Sequence, residues 1–374
     1  MHSLTVLYDG WPLAYTPNSP AALHLLTLLA HLPPEVHVAV ALPALPAFAL
    51  PDGITAQIRE TADTESGRLR WEQLTLPALA SSLGAGLVHL TGGGPALFGS
   101  GRSVVSPTAF GAGQVNQATG RAPAEALPGR GFVTRLRDAL AQGGMARARA
   151  VLWPNDLPEP RLSGPVLHLS PVVHPIFTAG STQLAGGSPG LDLPESFVLY
   201  HGPASESGLR RMLEAWSWAS DSIGEYYPLL VLGLDHAARA RLAGLCAAYE
   251  LEESVRALPA VGLETLAYLY QACAAVFHPA PVSPWGGPLR PALACGRPII
   301  ALETPLADAL VGPAAYLVSP SPESNRALGA AILTVIVEEN VSTMLSQAAL
   351  LRATAWQPAS FSRLLLTAYQ SVLL

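Results

Sequence analysis

Two successive α/β domains, each a doubly wound parallel sheet, are predicted by three features of this 374-residue chain. Short apolar runs alternate with longer stretches of helical periodicity, the pattern of strands joined by crossover helices. Pro and Gly clusters such as Gly92-Gly93-Gly94-Pro95 punctuate the strand ends. A stretch rich in Gly, Ser and Pro between Phe177 and Pro194 separates two such series and has the composition of a linker. The length also suits two cores better than one.

In the first series, Leu4 to Tyr8 reads as a buried strand and Ala21 to Leu32 as the helix after it. Val36 to Leu42, Leu87 to Thr91, Ser103 to Ser106, Ala150 to Trp153 and Val166 to Leu169 are further strand-like runs, with Trp71 to Leu83 and Phe132 to Gln142 as intervening helices. The second series runs Phe197 to Tyr200, Leu209 to Ala219, Leu229 to Leu232, Ala237 to Tyr249, Leu263 to Cys273, Ala275 to His278, Leu289 to Cys295 and Ile299 to Leu302. The boundaries that follow are 1–180 for the first domain, 190–358 for the second and 359–374 for a C-terminal helix.

Half the residues are apolar and 13% charged, which argues for ample core and against disorder. All 21 basic residues are Arg. Eleven face 11 acids in residues 1–180, and 10 face 16 acids in residues 181–374, so the second half carries the whole net charge of −6. An acidic lobe attracts nucleic acid poorly, and none is expected as a partner. Cys246, Cys273 and Cys295 have neither paired nor metal-ligand spacing, so they read as reduced thiols of a cytoplasmic protein with no metal and no cofactor. The most apolar stretch, Val36 to Leu50, is broken by Pro43 and Pro46 and is too short to cross a bilayer. Peripheral membrane contact is left open by Arg121, Arg130, Arg135, Arg137, Arg147 and Arg149 around Phe132, Leu136 and Leu140; the alternative is a solvated helix face.

The most informative segment is Phe277-His278-Pro279-Ala280, Trp285-Gly286-Gly287-Pro288 and Ala292-Leu293-Ala294-Cys295-Gly296-Arg297-Pro298-Ile299-Ile300. It resembles the signature of retaining GT-B glycosyltransferases of the group 1 type. There the pattern runs Pro-Ser, Glu-Gly-Phe-Gly-Leu-Pro, then Glu-Ala-Met-Ala-Cys-Gly-Thr-Pro-Val. Tyr200-His201-Gly202, Gly208-Leu209, Leu230 to Gly233, Leu263 to Tyr270, Val311 to Ala315 and Ala368 to Leu373 fall in the family's order. In the first half the likeness rests on Trp71-Glu72-Gln73, Leu76-Pro77 and His168 to Phe177. The resemblance implies two Rossmann-like domains facing an interdomain cleft, an acceptor side first and a donor side second. It also implies a nucleotide-sugar donor and a C-terminal helix that returns to the first domain.

The donor chemistry needs cations or oriented amides around a diphosphate whose charge grows as the sugar leaves. It also needs carboxylates on the sugar and ribose hydroxyls. In the family these are two glutamates eight positions apart; here the register puts Ser283 and Pro291 there. The family's Arg and Lys become Pro203 and Ser207, with Glu206 adjacent. Gly286 and Gly287 retain backbone amides suited to an anion, or else make only a tight turn. Trp285 is a candidate stacking platform or a wall residue. His89, His201 and His278 stand at strand ends, where a general acid or base belongs, or are structural.

The donor-cleft candidates are therefore Gly202, Ser207, His278, Ser283, Trp285, Gly286 and Gly287, with Ser283, Trp285, Gly286 and Gly287 on the second-domain wall. No catalytic residue is assigned. The leading expectation is a glycosyltransferase-like protein with a degenerate donor site, a non-catalytic partner of an active glycosyltransferase. Its rivals are an active transferase with an atypical donor, and a module that binds a glycan or nucleotide sugar without turnover.

Overall fold

Parallel pairing demands strands that are apolar on both faces, because crossover helices cover both sides of the sheet. β1 (Leu4–Asp9), β2 (Val36–Leu42), β4 (Leu87–Leu90), β5 (Ser103–Val105) and β6 (Ala150–Pro154) meet that demand over most of their length. The computed structural model describes residues 4–46, 48–97, 102–108, 132–159, 164–180 and 191–373. In it these strands join β3 (Thr55–Ile58) and β7 (Val166–Leu169) in a sheet of order β3-β2-β1-β4-β5-β6-β7, parallel throughout. A second parallel sheet contains β8 (Val198–Tyr200), β9 (Leu229–Val231), β10 (Val255–Ala257), β11 (Ala275–His278), β12 (Ile299–Leu302) and β13 (Ala315–Val318). Its order is β10-β9-β8-β11-β12-β13.

Both sheets are doubly wound, as expected. Each reverses its direction of growth once, between β1 and β4 and between β8 and β11. The sequence reading missed β3, β10 and β13. All three are edge strands; β3 and β10 have largely exposed side chains and lack the apolar run that marks a buried strand, while β13 is a short apolar run of four residues.

Helices begin where side chains can satisfy the first free amides. Ser19 caps Pro20–Ala30, Ser205 caps Glu206–Ile223, Asp235 caps His236–Tyr249 and Thr304 caps Pro305–Val311, each accepting a backbone N–H three residues on. The expected helix Trp71 to Leu83 is instead a π turn, Trp71–Thr75, followed by an α-helix, Leu76–Ser82.

The chain divides into two compact units. The first comprises Met1–His174, Ser283–Gly286 and Gln357–Leu374; the second comprises Pro175–Val282 and Gly287–Trp356. The linker residues 181–190 lie outside the described residues.

Within the first unit, the C-terminal helix Pro358–Leu373 buries Phe361, Leu365, Ala368, Tyr369 and Val372 on one face. Its Tyr369 hydroxyl lies 2.6 Å from the Tyr8 hydroxyl and 2.6 Å from His89 Nδ1, and His89 Nε2 lies 2.7 Å from Ser106 Oγ. Burial pushes His89 down to about 3, so its ring is neutral. A neutral ring donates at one nitrogen and accepts at the other, so the chain can run from Tyr8 through Tyr369 and His89 to Ser106 or in the reverse direction, every link filled either way. Tyr369→Phe leaves Tyr8 and His89 short of a buried partner, a loss of about 1–3 kcal/mol. Hydrogen exchange is expected to show that loss at β1 and β4 amides while β8 and β11 keep their protection.

Candidate functional site

In a doubly wound sheet the ligand crevice opens at the carboxyl ends of the strands where the order reverses. In the second unit that point lies between β8 and β11. His201 and Gly202 follow β8, and His278 ends β11. His201 Nδ1 lies 2.8 Å from the Tyr270 hydroxyl, on the helix Leu263–Ala272. His278 Nε2 lies 3.3 Å from the Pro281 carbonyl, while its buried Nδ1 has no hydrogen-bond partner among the described residues. Burial pushes His278 down to about 4; the Pro281 carbonyl pulls it up and the charge of His201 pushes it further down. The structure thus brings His201, Gly202 and His278 together at this end of the sheet, with both imidazoles buried.

The loop after β8 runs through Pro203 and Ala204 into the cap Ser205. Ser207 lies in the first helical turn, exposed, with its Oγ 3.4 Å from Ser205 Oγ. Glu206 pairs with Arg210 on the same exposed surface, 3.1 Å apart. A cation does reach the loop from another element: Arg241 Nη2 donates to the Ala204 carbonyl at 3.3 Å. Pro291 is buried within the helix Leu289–Ala294.

Ser283, Trp285 and Gly286 were expected on the second-domain wall, but the structure groups them with the first unit, while Gly287 belongs to the second. The cause is the indole of Trp285. It is 1% exposed, stacks on His24 at 4.9 Å, meets the edge of Phe361 at 6.3 Å, and its Nε1 donates to the Leu152 carbonyl at 2.9 Å. Such a ring is wall packing and not a free platform. Gly286 adopts φ +65, and a Cβ there would lie 1.9 Å from the Pro20 carbonyl oxygen. That geometry matches the tight-turn alternative. Ser283 is half-buried.

Sequence reasoning missed a polar cluster at the corresponding reversal of the first sheet. Asp9, at the end of β1, accepts from Trp71 Nε1 at 2.8 Å and from the Trp11 amide at 3.0 Å. Glu72 is buried with Arg68 Nε at 3.0 Å. The signals were an acid interrupting the first apolar run and the Trp71-Glu72-Gln73 match. Of the Arg-rich region, Arg121 and Arg130 lie outside the described residues. Arg137 pairs with Glu65 at 2.7 Å, and Arg147 donates to the Leu97 carbonyl at 3.0 Å. Among the described residues no group of three His, Cys, Asp or Glu is arranged to hold a metal, and no single helix is long and apolar enough to cross a membrane.

Residues 188–352 match the family described as Glycosyl transferases group 1. That segment is a group 1 glycosyltransferase domain. The fold over the whole chain is GT-B. Sucrose-phosphate synthase of Thermosynechococcus elongatus is similar at 17% identity and TM-score 0.69, covering 99% of each chain. WaaG, a glycosyltransferase involved in lipopolysaccharide biosynthesis, is similar at 13% identity and TM-score 0.71, over 98% of this chain and 99% of its own. Anabaena HepE, solved in complex with UDP and glucose, is similar at 15% identity and TM-score 0.64, over 98% of this chain and 100% of its own. At these identities the likeness establishes the fold and no more. No curated protein sequence matches the chain.

Within this GT-B protein the Gly286 turn is testable. Gly286→Ala places a side chain where the backbone conformation and the Pro20 carbonyl both exclude it. A loss of more than about 1 kcal/mol is expected in thermal unfolding.

Proposed function

We propose that this protein is a group 1 glycosyltransferase relative with a degenerate donor site, acting without turnover as the partner of an active glycosyltransferase. One observation carries the reading: the register puts Pro203, Ser207, Ser283 and Pro291 where the family has two cations and two carboxylates. Pro291 is buried in a helix and has no polar side-chain atom, and Ser207 is exposed beside the Glu206–Arg210 pair. The engagement of Trp285 with His24, Phe361 and Leu152 supports the same reading, because a ring so occupied does not stack on a base or sugar. The buried thiols Cys246, Cys273 and Cys295 support a reducing, cytoplasmic setting.

A second reading, an active transferase with an atypical donor, draws on two features of the second unit. Arg241 offers a cation at the loop after β8, and buried His278 keeps an unpartnered Nδ1. The two readings differ in donor affinity. Each missing charge-assisted contact removes about 1.5–3 kcal/mol. The expected dissociation constants for uridine and guanosine diphosphate sugars are therefore about a millimolar or weaker by calorimetry.

Ser283→Glu with Pro291→Glu is expected to leave transfer absent, since the diphosphate still lacks cations. Adding Pro203→Arg and Ser207→Lys is expected to tighten donor binding measurably. Micromolar binding or turnover by the unmodified protein would establish the second reading instead.

A further inference from the structure

Three consecutive residues of the Trp71–Thr75 π turn each make a contact outside it, and such turns recur at functional positions. Trp71 donates to Asp9 Oδ1 at 2.8 Å, Glu72 Oε1 accepts from Arg68 Nε at 3.0 Å, and Gln73 Oε1 accepts from the Leu97 amide at 2.9 Å. Glu72 also abuts the opposite end of the same loop. Gly93 has φ +108, and a Cβ on it would sit 2.5 Å from Glu72 Oε1. Gln73 thus holds the Leu97 end of the segment from Gly92 to Leu97 by a hydrogen bond, and Glu72 packs closely against Gly93 at the other end, where the segment leaves the carboxyl end of β4 at the reversal of the first sheet.

The charges around this contact do not balance. Asp9 is 1% exposed and Glu72 2%. The charged groups that act on Glu72 are Asp9 from β1, Arg68 from the helix Glu65–Arg70, and Arg137 from the helix Phe132–Met145. Arg137 is already engaged by Glu65 at 2.7 Å and Asp138 at 3.7 Å. One guanidinium is thus left to two buried carboxylates, and Asp9 Oδ2 and Glu72 Oε2 have no hydrogen-bond partner among the described residues. A buried carboxylate without a counter-charge is costly, and a group in that position takes up a proton. Both oxygens are closed to solvent.

We propose that Asp9, Arg68 and Glu72 form a one-proton latch that holds the Gly92 to Leu97 loop in place while the carboxylate pair carries a proton and loosens it when that proton passes to solvent. Burial pushes Glu72 up to about 7; Arg68 pulls it down and Asp9 raises it. Asp9 is itself raised by burial. The folded carboxyl thus titrates above its unfolded value. The latch is fully set below about 4.5 and is lost as pH rises through about 7.

The test is hydrogen exchange of the Gly92, Gly93, Gly94 and Leu97 amides in the full chain, corrected for intrinsic exchange, between about pH 6 and about pH 8.5. Exchange is expected to rise by about tenfold or more across that range, since each pKa unit between folded and unfolded carboxyl is tenfold in an opening equilibrium. Glu72→Gln, a neutral mimic of the protonated acid, is expected to abolish the rise. Asp9→Asn should move the midpoint to lower pH and Arg68→Gln to higher pH, a pair of opposite shifts that is read even where Glu72→Gln fails to fold. No rise in the unmodified protein, a rise that persists in Glu72→Gln, or shifts of the same sign in the other two variants would overturn the latch.

Discussion

The first unit depends on one buried chain of hydrogen bonds, from Tyr8 through Tyr369 and His89 to Ser106. Its members come from β1, the C-terminal helix, β4 and the residue after β5, so it ties the last helix of the chain to three strands formed more than 250 residues earlier. The helix is amphipathic enough to bury a face, but an apolar face is non-directional. The tyrosine hydroxyl supplies direction, because a buried O–H or imidazole nitrogen must find its partner at a fixed distance and angle. The same constraint disposes of His89 as a catalytic candidate. An imidazole bonded at both nitrogens, kept neutral by burial and closed to solvent is a structural member of the core.

The second unit differs in how it uses its histidines. His201 and His278 lie at the reversal of the sheet, where parallel folds collect their ligand chemistry. Around them the first helical turn offers exposed serines and an acid paired in its own helix, with Arg241 as the cation that reaches the loop. This is a helix start with its amides partly satisfied by Ser205 and little charge to recruit a diphosphate. The family match over 188–352 and the identities of Pro203, Ser207, Ser283 and Pro291 are two independent properties of the sequence. The first comes from the pattern of strands, glycines and helices, which backbone geometry preserves. The second comes from side chains that the backbone does not require.

Much of the fold was legible because both sheets are parallel and covered on both faces, which writes each central strand as an uninterrupted apolar run. Leu4 to Tyr8 and Ala275 to His278 are such runs, and both are central strands. The edge strands Thr55–Ile58 and Val255–Ala257 were illegible for the converse reason, being largely exposed. The π turn at Trp71–Thr75 was invisible too. Its periodicity differs from that of the α-helix by too little to show in five residues.

The chain alone determined the alternation of central strands and helices that makes two doubly wound sheets and the uncharged residues Pro203, Ser207, Ser283 and Pro291, since apolar periodicity and residue identity are read over a few neighbouring positions. The fate of the polar and aromatic groups was decided only by tertiary structure. Trp285 lies in a segment that reads as second-domain wall, yet it is buried among His24, Leu152 and Phe361 of the first unit. Asp9 and Glu72, 63 positions apart, are buried near one another, Glu72 paired with Arg68 beside a glycine loop and Asp9 bonded to Trp71. Desolvation and hydrogen bonding act over a few ångströms of space and not along the chain. Which buried group finds a partner, and which is left with an empty lone pair, is therefore set by the packing of distant segments.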